Sequence, residues 1–364
     1  MPDHGMAREL TDKQFPSCDL AALSAQKGFG PMSLHPASPD VLPQAVPPQL
    51  LAGAALRKVT PEPAQEGERL ITLRSPAVLP FPCYDSLDLE LDAASGTCWC
   101  FMRPEGRASF TPQLMADIAR MQAAVRHMGK VGLDAGGTKL RYFVMASRRP
   151  GVFNLGGDLA LFARAIRARD RAALRQYGHG AVRALHENTR GYDAGAITIA
   201  LVQGDALGGG FECALAFDLI VAERRARLGF PEILFNLFPG MGAYSYLSRR
   251  IAPAEAGRMI SSGQIHTAEE LHAMGVIDVL VEDGQGEQAV RELIARQGRR
   301  QNAFQAISHV RRRVNPVSLQ ELLDVVDIWV DAALNLEEAD LRRMQRLVAA
   351  QDRRCAEAAP LAHA

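Results

Sequence analysis

Twice in the middle of this chain an apolar, strand-like run empties into a glycine-rich loop that leads straight into a helical stretch. Arg141 to Ala146 reads as a strand, Val152-Phe153-Asn154-Leu155-Gly156-Gly157-Asp158 as the loop, and the residues onward to about Asn188 as a long helical region. Ile197 to Val202 is the next strand, and Leu207-Gly208-Gly209-Gly210-Phe211-Glu212 carries the next loop and helix start. Strand, loop and helix repeated in that order predict an α/β fold with crossover connections. The glycines then lie at strand-to-helix turns, where unpaired backbone N–H groups and the helix dipole favour negative charge.

The flanking segments fit that frame. Leu87, Leu89 and Leu91 alternate with Asp88, Glu90 and Asp92, which predicts a half-buried strand, and Ser95-Gly96 turns it into a second strand at Thr97 to Met102. Thr111-Pro112 opens a helix whose Leu114, Ile118, Met121 and Val125 share one face. Beyond Ser261 the pattern is largely helical, with capping boxes at Thr267 to Glu270 and Ser318 to Glu321. Apolar stripes at Leu322, Val325, Val326 and Trp329, then at Leu341, Met344, Leu347 and Val348, bury against the core, a neighbouring subunit, or both. Residues 1 to 70 hold ten of the 21 prolines and no sustained periodicity, which predicts a mostly disordered extension. Met6 and Met32 stay open as alternative starts. The division is therefore 1–70 extension, 71–262 α/β core and 263–364 helical region.

Composition excludes several function classes. Of 364 residues, Lys plus Arg and Asp plus Glu number 41 each, so no global field draws nucleic acid or an anionic membrane. The six cysteines form neither a C-x-x-C pair nor a secreted disulfide framework, and the N-terminus has no signal-peptide pattern; a cytoplasmic protein is expected. The most apolar long stretch, Ala194 to Ala222, is interrupted by Asp205, Glu212 and Asp218 and reads as buried core.

Two glutamates stand out. Glu212 closes the second glycine run, and Glu232 lies in Gly229-Phe230-Pro231-Glu232-Ile233-Leu234, just ahead of Pro239-Gly240-Met241-Gly242. Paired carboxylates divide acid-base labour when the fold brings them together and separates their pKa values. Two glycine loops of the same design can turn two N–H donors onto one oxygen, which is what the enolate of a thioester requires. For the Leu207 to Glu212 run taken alone, close packing of backbone against a neighbouring strand is an equal alternative.

These residues resemble the crotonase, or enoyl-CoA hydratase/isomerase, superfamily from about residue 72 to 300. The resemblance implies a spiral of ββα units with a helical C-terminal oligomerisation region. It also implies oxyanion donors at Gly157 and Gly209 and catalytic glutamates at Glu212 and Glu232. The stretches Phe153 to Phe162, Phe230 to Ser245 and Ile328-Trp329-Val330-Asp331 are similar to the diffusible signal factor synthases, and the match runs to about Arg354. By that resemblance the chain dehydrates a 3-hydroxyacyl chain on acyl carrier protein to a cis-2-enoyl thioester and hydrolyses it to the free fatty acid. Leu155, Leu207, Gly208, Phe235, Met241, Gly242, Trp329 and Leu347 are the implied substrate-binding positions. No cofactor or metal is called for; a homotrimer or dimer of trimers and a sensor-kinase partner are the implied associations. A conventional enoyl-CoA hydratase or isomerase, and a non-catalytic acyl-binding member, are the alternatives.

Phe235, Leu237, Phe238, Met241, Tyr244 and Tyr246 suggest a roomy apolar pocket, although core packing accounts for such residues equally well. Asp158 is as good a helix N-cap as a substrate contact. Gly132-Leu133-Asp134-Ala135-Gly136-Gly137-Thr138-Lys139 resembles a sugar-kinase phosphate loop, but it lies between a helix and a strand without a second phosphate motif, and a plain glycine turn is the simpler reading. The nine histidines show no metal-ligand spacing, and no G-x-S-x-G nucleophile motif is present. Arg148-Arg149, before the first glycine loop, are a candidate docking patch for an acidic carrier protein; such runs are otherwise solvated faces.

Overall fold

The computed structural model describes residues 83–357 apart from 105 and 135, so the expected extension at 1–70 lies outside the described residues. The chain opens with a hairpin, β1 (Leu87–Asp92) antiparallel to β2 (Thr97–Met102). β1 buries its three leucines and turns Asp88, Glu90 and Asp92 outward, as alternation requires. Every residue of β2 is buried, because its other neighbour is the parallel β3 (Tyr142–Ser147). Between them runs α1 (Pro112–Val131), capped by the Thr111 side chain accepting from Leu114 N–H, with Leu114, Ile118, Met121 and Val125 facing the core.

From β3 onward the chain repeats one unit. A long strand is followed by a short one and then by helix. β3 leads to β4 (Val152–Asn154), α2 (Leu159–Arg167) and α3 (Arg171–Thr189). Next come β5 (Ile197–Val202), β6 (Asp205–Leu207) and α4 (Gly209–Leu215), then β7 (Leu219–Glu223), β8 (Arg227–Gly229), a 3-10 turn at Pro231–Phe235 and α5 (Ala243–Leu247). The long strands line up as neighbours in a six-stranded sheet, and the short ones in a four-stranded sheet. Within each set β3, β5 and β7, and likewise β4, β6 and β8, run parallel. The result is the spiral of ββα units that the family resemblance implies.

The remainder is α6 (Pro253–Ser262), β9 (Ile265–Thr267), α7 (Ala268–Ala273), β10 (Val279–Val281), α8 (Gly286–Gly298), α9 (Gln301–Val314), α10 (Leu319–Leu334) and α11 (Glu338–Glu357). One face of the large sheet packs Trp99, Phe101, Val144, Ile199 and Val221 against Val290 and Ile294 of α8. The other face belongs to the main core, which takes in α1, α3, α4 and the buried stripe Leu322, Val326, Trp329 and Val330 of α10. Ion pairs fix α10 along α3: Arg175 grips Asp327 at 2.7 and 3.0 Å, His179 meets the same carboxylate at 2.9 Å, and Arg171 pairs with Asp331. Pairs this exposed contribute little stability; they set the register that brings Trp329 inward. No described helix is long and apolar enough to cross a membrane.

Two local expectations change. The helical region after the first loop is two helices, because Arg169 adopts φ +51° and Asp170 starts α3 afresh by accepting from Ala173 N–H. The box at Thr267 is complete, whereas at Ser318 only the serine half forms. The Glu321 carboxylate turns away to Arg249, with contacts of 2.9 Å to both oxygens.

Candidate active site

Three successive chain exits lie side by side, at the C-terminal ends of the parallel strands β4, β6 and β8. Crevices outside such strand ends are the usual ligand positions in α/β folds. After β4, Asn154 Oδ1 takes the Gly156 N–H at 2.8 Å, and Asp158 caps α2 by accepting from Leu161 N–H at 2.9 Å. Gly156 C=O accepts from Phe110 N–H at 2.8 Å, and Asp158 N–H is held by the Tyr177 hydroxyl at 3.2 Å. With its neighbours turned that way, the Gly157 N–H faces the opposite side.

After β6 the chain makes a tight turn at Gly208, φ +53° and ψ −125°, and enters α4 at Gly209, whose N–H has no acceptor within the helix. A side-chain carbon on Gly209 would sit 3.5 Å from Gly157 N, so the two candidate donors are close neighbours. One turn into α4, Glu212 is buried. Its Oε1 accepts from Met241 N–H at 2.7 Å and Ala243 N–H at 2.9 Å, which ties the carboxylate to the start of α5.

After β8, Pro231 starts the 3-10 turn that carries Glu232, and Asn236 ends it in the left-handed region at φ +63°. Glu232 is half-buried as a residue, yet its carboxylate points inward: Oε1 lies against Gly208, and Oε2 is sealed from solvent with no hydrogen-bond partner. An unpaired buried carboxylate oxygen is costly. Burial accordingly pushes the Glu232 carboxyl up to about 8. Glu212 is also held well above the usual carboxylate range, first by burial and then by Glu232, with its two N–H donors pulling the other way. Two such acids cannot both ionise easily, and near neutral pH the pair keeps at least one proton.

Both glutamates and both glycines line one cavity of about 40 Å³. Phe235, Met241 and Trp329 of the sequence-derived set line it as well, together with Leu159, Phe162, Tyr177, Gly178, Leu237, Gly240 and Val326. The space holds about three waters, far less than the roomy pocket expected. The reason is an aromatic chain: Phe162 meets Tyr177 edge-on at 4.9 Å and Trp329 at 5.0 Å. Tyr244 is exposed instead, and Tyr246 packs in the core.

The other implied positions are not among the residues that line this cavity, although Gly208 and Gly242 adjoin ones that do. Leu155 and Leu207 form a small cluster with Ala108 and Val152, Gly208 accommodates Glu232, Gly242 begins α5, and Leu347 packs half-buried on the core. Tyr177 and Gly178 carried no signal of their own in the sequence, because what matters is the side of α3 that faces a loop and a helix remote in the chain. Asp158 serves as the N-cap. Asp134 accepts from Thr138 N–H at 2.9 Å and Oγ1 at 2.8 Å, a self-contained turn in place of a phosphate loop. Arg148 is paired with Glu90 and Glu287 and lies over the Phe101 ring. Among the described residues no three His, Cys, Asp or Glu side chains gather as a metal site.

The sequence model of the enoyl-CoA hydratase/isomerase family matches residues 101–327. The chain is 38% identical over 104 residues to the fatty acid oxidation complex subunit alpha of Pseudomonas syringae pv. tomato, covering 29% of this chain and 14% of that protein. It is 37% identical over 124 residues to the 2,3-dehydroadipyl-CoA hydratase of Escherichia coli, covering 34% and 48%. The matched stretches thus span half or less of these relatives. Among solved structures, Pseudomonas aeruginosa DspI superposes with a TM-score of 0.54 at 24% identity, covering 75% of this chain and 98% of that one, a likeness of fold.

Proposed function

The chain belongs to the enoyl-CoA hydratase/isomerase family, and from that membership we propose an enzyme that dehydrates a 3-hydroxyacyl thioester, preferably on acyl carrier protein, and then hydrolyses the cis-2-enoyl product to the free fatty acid. The observation that carries this reading is the convergence of two N–H-bearing glycines and two buried carboxylates on one cavity. The thioester oxygen sits between the N–H groups of Gly157 and Gly209, which stabilise the charge that develops there. One carboxylate of the Glu212/Glu232 pair takes the Cα proton while the other protonates the departing 3-hydroxyl, so the working form is singly ionised. In the second step the same two N–H groups hold the tetrahedral intermediate formed when water, deprotonated by a glutamate, attacks the carbonyl; its collapse breaks the C–S bond and the leaving thiolate takes that proton back from the glutamate.

The preference for a carrier-protein thioester and the release of free acid rest on the residue likeness to the signal factor synthases around Phe153 to Phe162 and Phe230 to Ser245. Incubation with 3-hydroxyacyl carrier protein and with 3-hydroxyacyl-CoA, followed by mass spectrometry, tests them. Free cis-2-enoic acid supports the proposal. An enoyl-CoA product alone points to a conventional hydratase, and no turnover of either substrate contradicts the enzymatic reading. A homo-oligomer is part of the proposal, supported by the exposed apolar Ile307, Val310 and Val314 of α9 and Ile328 of α10; light scattering in solution measures it.

A further inference from the structure

The two glycines flanking the 156–157 peptide leave its rotation without steric resistance from a side chain. Gly156 stands at φ +89°, and neither residue has a Cβ to resist a flip. A trans peptide is planar, so the Gly156 C=O and the Gly157 N–H point in opposite directions and move together. Whatever fixes that carbonyl aims that N–H. The carbonyl is fixed by Phe110 N–H at 2.8 Å, and Phe110 pairs with Gly157 as an isolated β-bridge just ahead of α1.

Phe110 is held in turn from α3. The Tyr177 hydroxyl donates to Phe110 C=O at 2.5 Å and accepts the Asp158 N–H at 3.2 Å. One oxygen thus pins both strands of the bridge, at Phe110 and at Asp158 just after Gly157. The Tyr177 ring also stands edge-on to Phe162, whose ring edge occupies the place where a Gly157 side chain would project. We infer that Tyr177 is a positioning residue for the first oxyanion donor: its hydroxyl, through Phe110 and Asp158, locks the 156–157 peptide with the Gly157 N–H turned into the cavity. This rests on the proposed role of Gly157 as a donor. The hydroxyl is engaged by Phe110 C=O and Asp158 N–H, so the role assigned to it is geometric.

Tyr177→Phe removes both hydrogen bonds and keeps the ring that walls the cavity. Losing an oxyanion donor outright costs roughly 10²- to 10³-fold in kcat, and a donor left loose should cost about 10- to 100-fold. The expected result is that loss in kcat for dehydration and for thioester hydrolysis alike, with KM changed less than about threefold and the shape of the pH profile unchanged. A purely structural role would lower the melting temperature and leave kcat of the folded fraction intact. Amide hydrogen exchange of the segment 152–161, followed in the free protein by mass spectrometry, gives a readout that needs no substrate, and it should accelerate in Tyr177→Phe. Unchanged exchange, or unchanged kcat in the folded variant, overturns the inference. If the wild-type protein turns over no thioester, the functional proposal fails separately, and the exchange measurement still decides the clamp.

Discussion

Oxygen Oε1 of Glu232 stands where a side chain on Gly208 would begin. The turn that aims the Gly209 N–H and the pocket that receives the second carboxylate are therefore one feature, built on a residue at φ +53° that lacks a Cβ.

Gly208→Ala should be worse than a change at an ordinary turn glycine. The new methyl group strains the backbone and pushes Glu232 off its position. We expect kcat/KM to fall by at least about 100-fold, in line with losing one acid-base group, in a protein that still folds by circular dichroism. Activity within a few-fold of wild type would mean that Glu232 need not sit there.

The rate should depend on pH through the pair. Burial pushes the Glu232 carboxyl to about 8 and holds Glu212 well above its ordinary value, so the pair offers an ionised base only as pH rises past the ordinary carboxylate range. kcat/KM for dehydration should rise with pH toward about 8 and fall again once the second proton leaves. A profile that is flat from pH 6 to 9, or that rises near the ordinary carboxylate value, contradicts the burial argument.

Stability carries the opposite sign. Burial pushes the Glu232 carboxyl up to about 8 in the folded state, against 4.5 for an exposed carboxyl. Between those values the folded protein binds a proton that the unfolded chain has released, so this group's contribution is fully present below 4.5 and fades as pH rises through about 8. Glu232→Gln has no proton to lose. Its melting temperature should exceed that of wild type at pH 8 and the difference should shrink toward pH 5, as thermal melts across that range will show.

Trp329 is the main filler of the cavity. Its ring packs on Phe162 and occupies the space that a side chain on Gly240 would need. Trp329→Ala should cost about 3–5 kcal/mol of stability and shift the preferred acyl chain to greater length, which denaturant titration and a chain-length series measure. Loss of stability without any shift in preference would make Trp329 a core residue only.

Much of this was legible in the sequence where the signal is local. Alternation at Leu87 to Asp92, the Thr111-Pro112 start and the two glycine loops each name an element through steric or capping chemistry confined to a few residues. Glu212 and Glu232, 20 positions apart, came together because successive ββα units place their loops side by side. The break at Arg169 was not legible, since a left-handed arginine is fixed by its surroundings. Nor was the size of the cavity, which depends on how Phe162, Tyr177 and Trp329 from three helices stack. Tyr177 reaches Phe110 across 67 positions, and no local pattern reports such a bond.

The central claim is that Glu212 and Glu232 together carry the chemistry. Turnover of a 3-hydroxyacyl thioester by Glu212→Gln and by Glu232→Gln, each confirmed folded, tests it most directly. The account predicts a loss of roughly 10²- to 10⁴-fold in each variant; full activity in either one would contradict it.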